Sequence, residues 1–234
     1  MIKAVFSDFY GTIVHENGPK SFEVIKRVFN NSTATKPEEV IEYWWKTFRM
    51  QLEAANGEAY RLQYDLSLEN FKELVSHFQS SENPKELCDM MVEHWCNPPL
   101  YDDTRLFMED IHQKQLPIYF VTNSDDLFIK EAVKNHQLKP DGIFTSEQAK
   151  YSKPRKEIFL YALEKVHLKP EEVLHIGDSI AGDIKCPESI GIKAIWVNRE
   201  NKPVPEGITA AANLMDINKM IESIMRTSVE GLKQ

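Results

Sequence analysis

The chain has 234 residues, of which 42% are hydrophobic and 27% charged, and a formal net charge of -8. That length buries a substantial core as one domain or one and a half. The acidic balance argues against general binding to nucleic acid or to anionic membranes, since both want a basic surface. No apolar run approaches the roughly 20 residues of a membrane span, and no signal-peptide pattern is seen at the start. The cysteines Cys88, Cys96 and Cys186 are odd in number, without metal-ligand spacing. They read as reduced thiols, and the expected location is the cytoplasm.

In chain order, Ile2 to Phe6 form a short apolar run of the kind that fills the middle of a parallel sheet. It breaks into Ser7-Asp8-Phe9-Tyr10-Gly11-Thr12. Open α/β sheets build their sites at the carboxyl ends of their strands, where Asp8 falls, and Gly11 lets the backbone turn sharply after it. A lone Asp there is more often a solvated turn residue, so its meaning depends on the other strand ends.

From about His15 to Asn97 strand-like runs nearly vanish and apolar residues recur at helical spacing. Phe22, Ile25, Val28 and Phe29 mark one helix, with Ser21 as its cap. Pro37 opens a second, carrying Val40, Tyr43, Trp44, Thr47, Phe48 and Leu52. A third carries Leu68, Phe71, Leu74, Val75 and Phe78, and a fourth Leu87, Met90, Met91 and Trp95. The aromatic residues Tyr43, Trp44, Trp45 and Phe48 read as bundle core rather than a ligand box, and His94 as a core histidine rather than a ligand. Asn97-Pro98-Pro99 stops the helical pattern.

Beyond it, apolar strands again end in polar tips. Leu116 to Val121 runs into Thr122-Asn123-Ser124, Lys153-Pro154 follows Gly142 to Thr145, and Val173 to Ile176 runs into Gly177-Asp178-Ser179, with Asp183 further on. Expected strands are 2–7, 117–121, 142–144, 173–176 and 193–197, with helices between them giving a right-handed wound parallel sheet. Residues from roughly 227 to 234 read as frayed.

Taken together, Asp8-Phe9-Tyr10-Gly11-Thr12, Thr122-Asn123, Lys153-Pro154 and Gly177-Asp178-Ser179 with Asp183 resemble the four motifs of the haloacid dehalogenase-like hydrolases. The resemblance implies an α/β fold: a Rossmann-like parallel-sheet core (1–14 and 99–234) with an inserted α-helical cap domain (15–98) that closes over the site. It implies Asp8 as nucleophile, and Mg²⁺ held by Asp8, Asp178 and the backbone carbonyl of Tyr10, with Asp183 in support. Thr122, Asn123 and Lys153 would hold the non-transferred oxygens of a phosphoryl group. The implied partner is a small-molecule substrate.

Two departures from the pattern point in opposite directions. The family's phosphatases carry a second Asp where this chain has Tyr10, a phenol that can donate a proton but is a poor base near neutrality. The Asp-x-Tyr-Gly-Thr form resembles instead the metal-independent 2-haloacid dehalogenases. Those enzymes, however, have Ser and Asn residues in place of the acids kept here as Asp178 and Asp183, and a Tyr where this chain has Phe159. Their cap arginine finds only a loose counterpart in Arg49. The retained acids favour a Mg²⁺-dependent phosphatase, because acids beside the nucleophile would repel an anionic substrate without a cation. A dehalogenase, or a non-catalytic member that binds a phospholigand or a protein, is the alternative. His15 and Glu16 are candidates for the acid/base that Tyr10 displaces. Substrate identity and oligomeric state are not legible in the sequence.

Overall fold

The structure is a computed structural model and describes residues 1–230. The N-terminal apolar run forms strand β1 (Ala4–Ser7), buried along its whole length. Four helices follow: α1 (Pro19–Asn30), α2 (Pro37–Ala54), α3 (Gln63–His77) and α4 (Pro84–Cys96). Then come α5 (Thr104–Gln113), β2 (Ile118–Thr122), α6 (Asp126–Asn135), β3 (Gly142–Thr145), the short α7 (Ser146–Ala149) and α8 (Glu157–Val166). The chain ends with β4 (Val173–Gly177), a π-helical turn over Ile180–Lys185, the short α9 (Cys186–Glu188), β5 (Lys193–Val197), β6 (Ala210–Ala211) and α10 (Leu214–Glu230).

All six strands lie parallel in the order β3-β2-β1-β4-β5-β6. The five expected strands form; β6, too short to leave a periodic signal, was not expected. Helix α10 runs through Glu230, past the point where fraying was expected; residues 231–234 lie outside the described residues.

Helices cover both faces of the sheet, which explains why its strands read as unbroken apolar runs. Successive strand residues point to opposite faces. Val5, Phe120 and Leu174 pack with Phe107, Ile129 and Ile217 on one side, while Phe6, Val121 and Val173 pack with Ile158, Phe159 and Ala162 on the other.

Helices α1–α4 build a separate core from Val24, Val28, Trp44, Phe48, Phe71, Leu74, Leu87, Met91 and Trp95, which also takes in Phe128 of α6. The aromatic residues do serve as bundle core: Trp44 and Phe48 stack at 5.1 Å, and Phe48 stacks with Trp95 at 6.2 Å. Two local expectations fail. Ser21 is not the cap of α1 but its third residue, where its hydroxyl accepts from the Gly18 backbone N–H at 2.9 Å. Phe22 is 58% exposed, because the buried face of α1 runs through Ser21, Val24 and Val28 and leaves Phe22 to one side. Among the described residues no helix is long and apolar enough to cross a membrane, and all three cysteines are free thiols.

A buried carboxylate straps the helical segment to the sheet. Asp125, just past β2, accepts from the backbone N–H groups of Gln63 at 2.7 Å and Tyr64 at 2.9 Å, the otherwise unpaired donors at the start of α3. Asp125→Ala should cost about 1–3 kcal/mol in denaturant unfolding, from a lost cap and buried donors left unpaired. An unchanged midpoint would show that the strap contributes nothing.

Candidate active site

The strand order reverses between β1 and β4, and the crevice at the carboxyl ends of these strands is where open α/β sheets bind ligands. Register pairs Ser7 of β1 with Ile176 of β4 and with Phe120 of β2. The residues that follow, Asp8, Asp178 and the Thr122-Asn123 pair, therefore emerge along one edge. Two glycines make the approach possible. At Gly11, with φ of +88°, a side-chain carbon would lie 2.5 Å from Asp178 Oδ2; at Gly177 it would lie 2.3 Å from Asp183 Cγ. Any larger residue at either position would displace a site carboxylate.

Lys153 ties the cluster together. Its Nζ donates to Asp8 Oδ1 at 2.5 Å and to Asp183 Oδ1 at 2.6 Å, with all three side chains almost wholly buried. Asn123 fixes the lysine from below: its Nδ2 donates to the Lys153 carbonyl at 3.0 Å and its Oδ1 accepts from the Lys153 N–H at 2.7 Å. Asp183 is fully engaged, its Oδ1 accepting also from His175 Nε2 at 3.0 Å and its Oδ2 from the Ser179 N–H at 3.0 Å. His175 is a member of the site that the sequence reading missed, although a histidine inside a buried strand was a visible signal.

The carboxylates differ in charge state according to their surroundings. Burial works against ionisation of Asp183, but Lys153 and His175 outweigh it and hold the carboxyl down at about 2. Burial pushes Asp8 up to about 6, with Lys153 opposing and Asp183 reinforcing the rise. Asp178 is raised well above the carboxylate range, first by burial and then by the charges of Asp8 and Asp183. Burial alone would depress the Lys153 ammonium, but Asp183 and Asp8 hold it above its ordinary value.

Asp8, Asp178 and Asp183 offer oxygens within 4.8 Å of one another. Asp8 Oδ2 is buried and has no hydrogen-bond partner. A buried unpaired carboxylate oxygen facing a second high-pKa carboxylate suits a hard divalent cation, since such ions take oxygen donors and neutralise the repulsion. The residues present fit Mg²⁺.

Of the expected site residues, Asp8, Tyr10, Asn123, Lys153, Asp178 and Asp183 line one cavity of about 460 Å³. Thr122 is buried at the end of β2 and is not among the lining residues. The helical segment supplies the opposite wall, with Trp44, Trp45, Phe48, Arg49 and Trp95. Tyr10 differs from expectation: its hydroxyl donates to the carbonyl of Trp95 at 2.9 Å, and burial raises it far above its usual value. Glu16 lines this cavity and a neighbouring one, whereas His15 lines only the neighbour, its ring tilted against Tyr101 with centroids 3.8 Å apart. His94 is a satisfied histidine, its Nε2 donating to the Glu16 carbonyl at 2.9 Å. Phe159 packs edge-on against His175 at 4.9 Å, beneath the site.

The family model for haloacid dehalogenase-like hydrolases matches residues 2–191. The chain belongs to this family. Among relatives of this hydrolase, the HAD-hydrolase YfnB of Bacillus subtilis is 37% identical over 98 residues, 40% of this chain and 42% of YfnB. The chain thus spans less than half the length of that relative. The human N-acylneuraminate-9-phosphatase is 20% identical over 95% of each chain. Two solved structures share the fold. YfnB bound to magnesium has a TM-score of 0.77 at 20% identity, covering 94% of this chain and 99% of that one. An L-2-haloacid dehalogenase from Xanthobacter autotrophicus has a TM-score of 0.76 at 16% identity, covering 95% and 99%.

Proposed function

We propose that this hydrolase is a Mg²⁺-dependent phosphatase of small phosphorylated metabolites, working through an aspartyl intermediate on Asp8. The observation that carries the reading is the buried, unpartnered Asp8 Oδ2 beside the high-pKa Asp178, an arrangement that wants a cation. Asp8 and Asp178 would hold Mg²⁺, together with the Tyr10 backbone carbonyl, and Asp183 supports the site through Lys153. Bound there, the ion would neutralise charge on the phosphoryl group and on the carboxylates. Asp8 attacks phosphorus, and the ester oxygen leaves with its electron pair. Lys153, held by Asn123, and Asn123 itself just past β2 stabilise the remaining phosphoryl oxygens. We assign residues 15–98 as the cap, whose aromatic wall excludes water from the chemistry. The phosphatase names among the relatives support this reading.

Tyr10 favours a second reading, a metal-independent 2-haloacid dehalogenase, because a halide leaves without a proton. The test is a panel of phosphate esters and 2-haloacids, each run with Mg²⁺ and with a chelator. Phosphate release that needs Mg²⁺ supports the proposal. Halide release that survives the chelator, with no phosphate release, replaces it with the dehalogenase. In parallel, millimolar Mg²⁺ should raise the melting temperature of the wild type by mass action, by the equivalent of about 2.7 kcal/mol at a hundredfold excess over Kd. Asp178→Asn should abolish most of that shift; an equal shift in both would remove Asp178 from the metal site.

A further inference from the structure

Tyr10 occupies the place of the acid/base Asp, and its hydroxyl proton is committed to the Trp95 carbonyl. A phosphatase built on this site still needs a proton for a basic leaving oxygen and a base for the incoming water. We propose that Glu16 supplies both, acting as general acid in the first step and general base in the second. This rests on the phosphatase reading above.

Three observations carry the assignment. Glu16 lines the same cavity as Asp8, Lys153 and Asp178. Its backbone is pinned: His94 Nε2 donates to the Glu16 carbonyl at 2.9 Å, and the His15 N–H donates to the Pro99 carbonyl at 2.8 Å. The chain just after it is closely packed, since a side-chain carbon on Gly18 would come within 2.9 Å of Pro99. Such support from neighbouring segments is what a catalytic side chain needs to stay in place. The other carboxylates facing the cavity are accounted for, Asp8 as nucleophile, Asp178 by the metal and Asp183 by Lys153. Only Glu53 of α2 is left; like Glu16 it also borders a second recess, so Glu53→Gln is the control in the test below.

The electrostatic setting agrees. Desolvation by its surroundings, with the negative charges of Asp8, Glu200 and Asp183 reinforcing and Arg49 of α2 opposing, raises the Glu16 carboxyl to about 7. Glu16 is solvent-exposed as a residue, which tempers the desolvation. A carboxyl titrating near neutrality both gives and takes a proton, as acid/base catalysis requires.

The two steps balance. Asp8 Oδ forms a bond to phosphorus as the ester P–O bond breaks, and the Glu16 proton moves to the departing oxygen, releasing an alcohol. Glu16, now a carboxylate, takes a proton from water as that water attacks the aspartyl phosphate. Phosphate leaves, Asp8 is restored as carboxylate, and Glu16 is again protonated.

The test is rapid-quench kinetics of the full chain with Mg²⁺, comparing wild type, Glu16→Gln, Glu16→Asp and Glu53→Gln on 4-nitrophenyl phosphate and glycerol phosphate. An aryl leaving group needs little protonation, so Glu16→Gln should release about one equivalent of nitrophenolate in a burst and then stall, its second step slowed on the order of 10² to 10⁴. On glycerol phosphate the same variant should show no burst and a fall of that size in rate. Glu16→Asp should recover part of the alkyl rate, which separates lost chemistry from misfolding. Glycerol phosphate turnover by Glu16→Gln at the wild-type rate, or the same burst-and-stall pattern in Glu53→Gln instead, overturns the proposal. Wild-type protein that releases phosphate from neither ester refutes the phosphatase reading itself, and this inference with it.

Discussion

Asp8→Asn is expected to lower turnover by roughly 10⁴- to 10⁶-fold, the loss that follows removal of one member of a nucleophilic assembly. The amide cannot attack phosphorus or carbon, so the outcome is the same for a phosphate ester and a 2-haloacid. The fold should survive and even gain. Folding raises the Asp8 pKa to about 6 from the ordinary carboxylate range, so the protonated form is the one the native state prefers. The stability this represents is complete below the unfolded pKa and is lost as pH rises through about 6. At pH 7, in chelator, ionised Asp8 is therefore a net cost that Asn avoids. The variant should melt at or above the wild-type temperature, and the difference should shrink as pH falls from 7 to 4. A melting temperature well below wild type at pH 7 would contradict this account of Asp8; retained turnover would remove it as nucleophile.

Lys153→Met should do the reverse, sacrificing stability as well as activity. Methionine fills the same volume without a charge, leaving Asp8 and Asp183 buried with no ammonium between them. Removing one partner of a buried ion network costs about 3–5 kcal/mol. For a domain of this size, each kcal/mol corresponds to roughly 2–4 °C in melting temperature. Mg²⁺ should restore part of the loss, since it neutralises the same carboxylates. Denaturant unfolding with and without Mg²⁺ measures both effects, and a loss below about 1 kcal/mol would mean that Lys153 does not hold the acids together.

The parts of this site legible in the sequence are those set by strand ends. A buried parallel strand must stop where polar residues begin, so Asp8, Asn123 and Asp178 could be placed on one edge before any register was known. Lys153 belongs to no strand, and only its resemblance to a motif brought it into the site. What stayed hidden depends on packing between segments distant in sequence. Nothing in Tyr10 announces that its hydroxyl reaches Trp95, 85 positions away. The bond between His175 and Asp183 needs the π-helical turn that folds Asp183 back over β4. Asp125 gave no local sign that it caps a helix more than 60 residues earlier. The buried face of α1 was misjudged at Phe22 because four apolar residues fit two overlapping stripes, and only contact with the other helices selects one. The short β6 was invisible because two alanines carry no periodicity.

The most direct measurement is to trap the intermediate. Wild-type protein mixed with Mg²⁺ and a phosphate ester, quenched in acid within a turnover and digested, should yield a peptide covering Asp8 that carries one phosphoryl group on its carboxylate. The adduct should be missing from Asp8→Asn and from samples made with chelator. A quenched enzyme that turns over the ester yet carries no phosphoryl group at Asp8, or one that instead forms an alkyl ester at Asp8 from a 2-haloacid in chelator, would contradict the assignment.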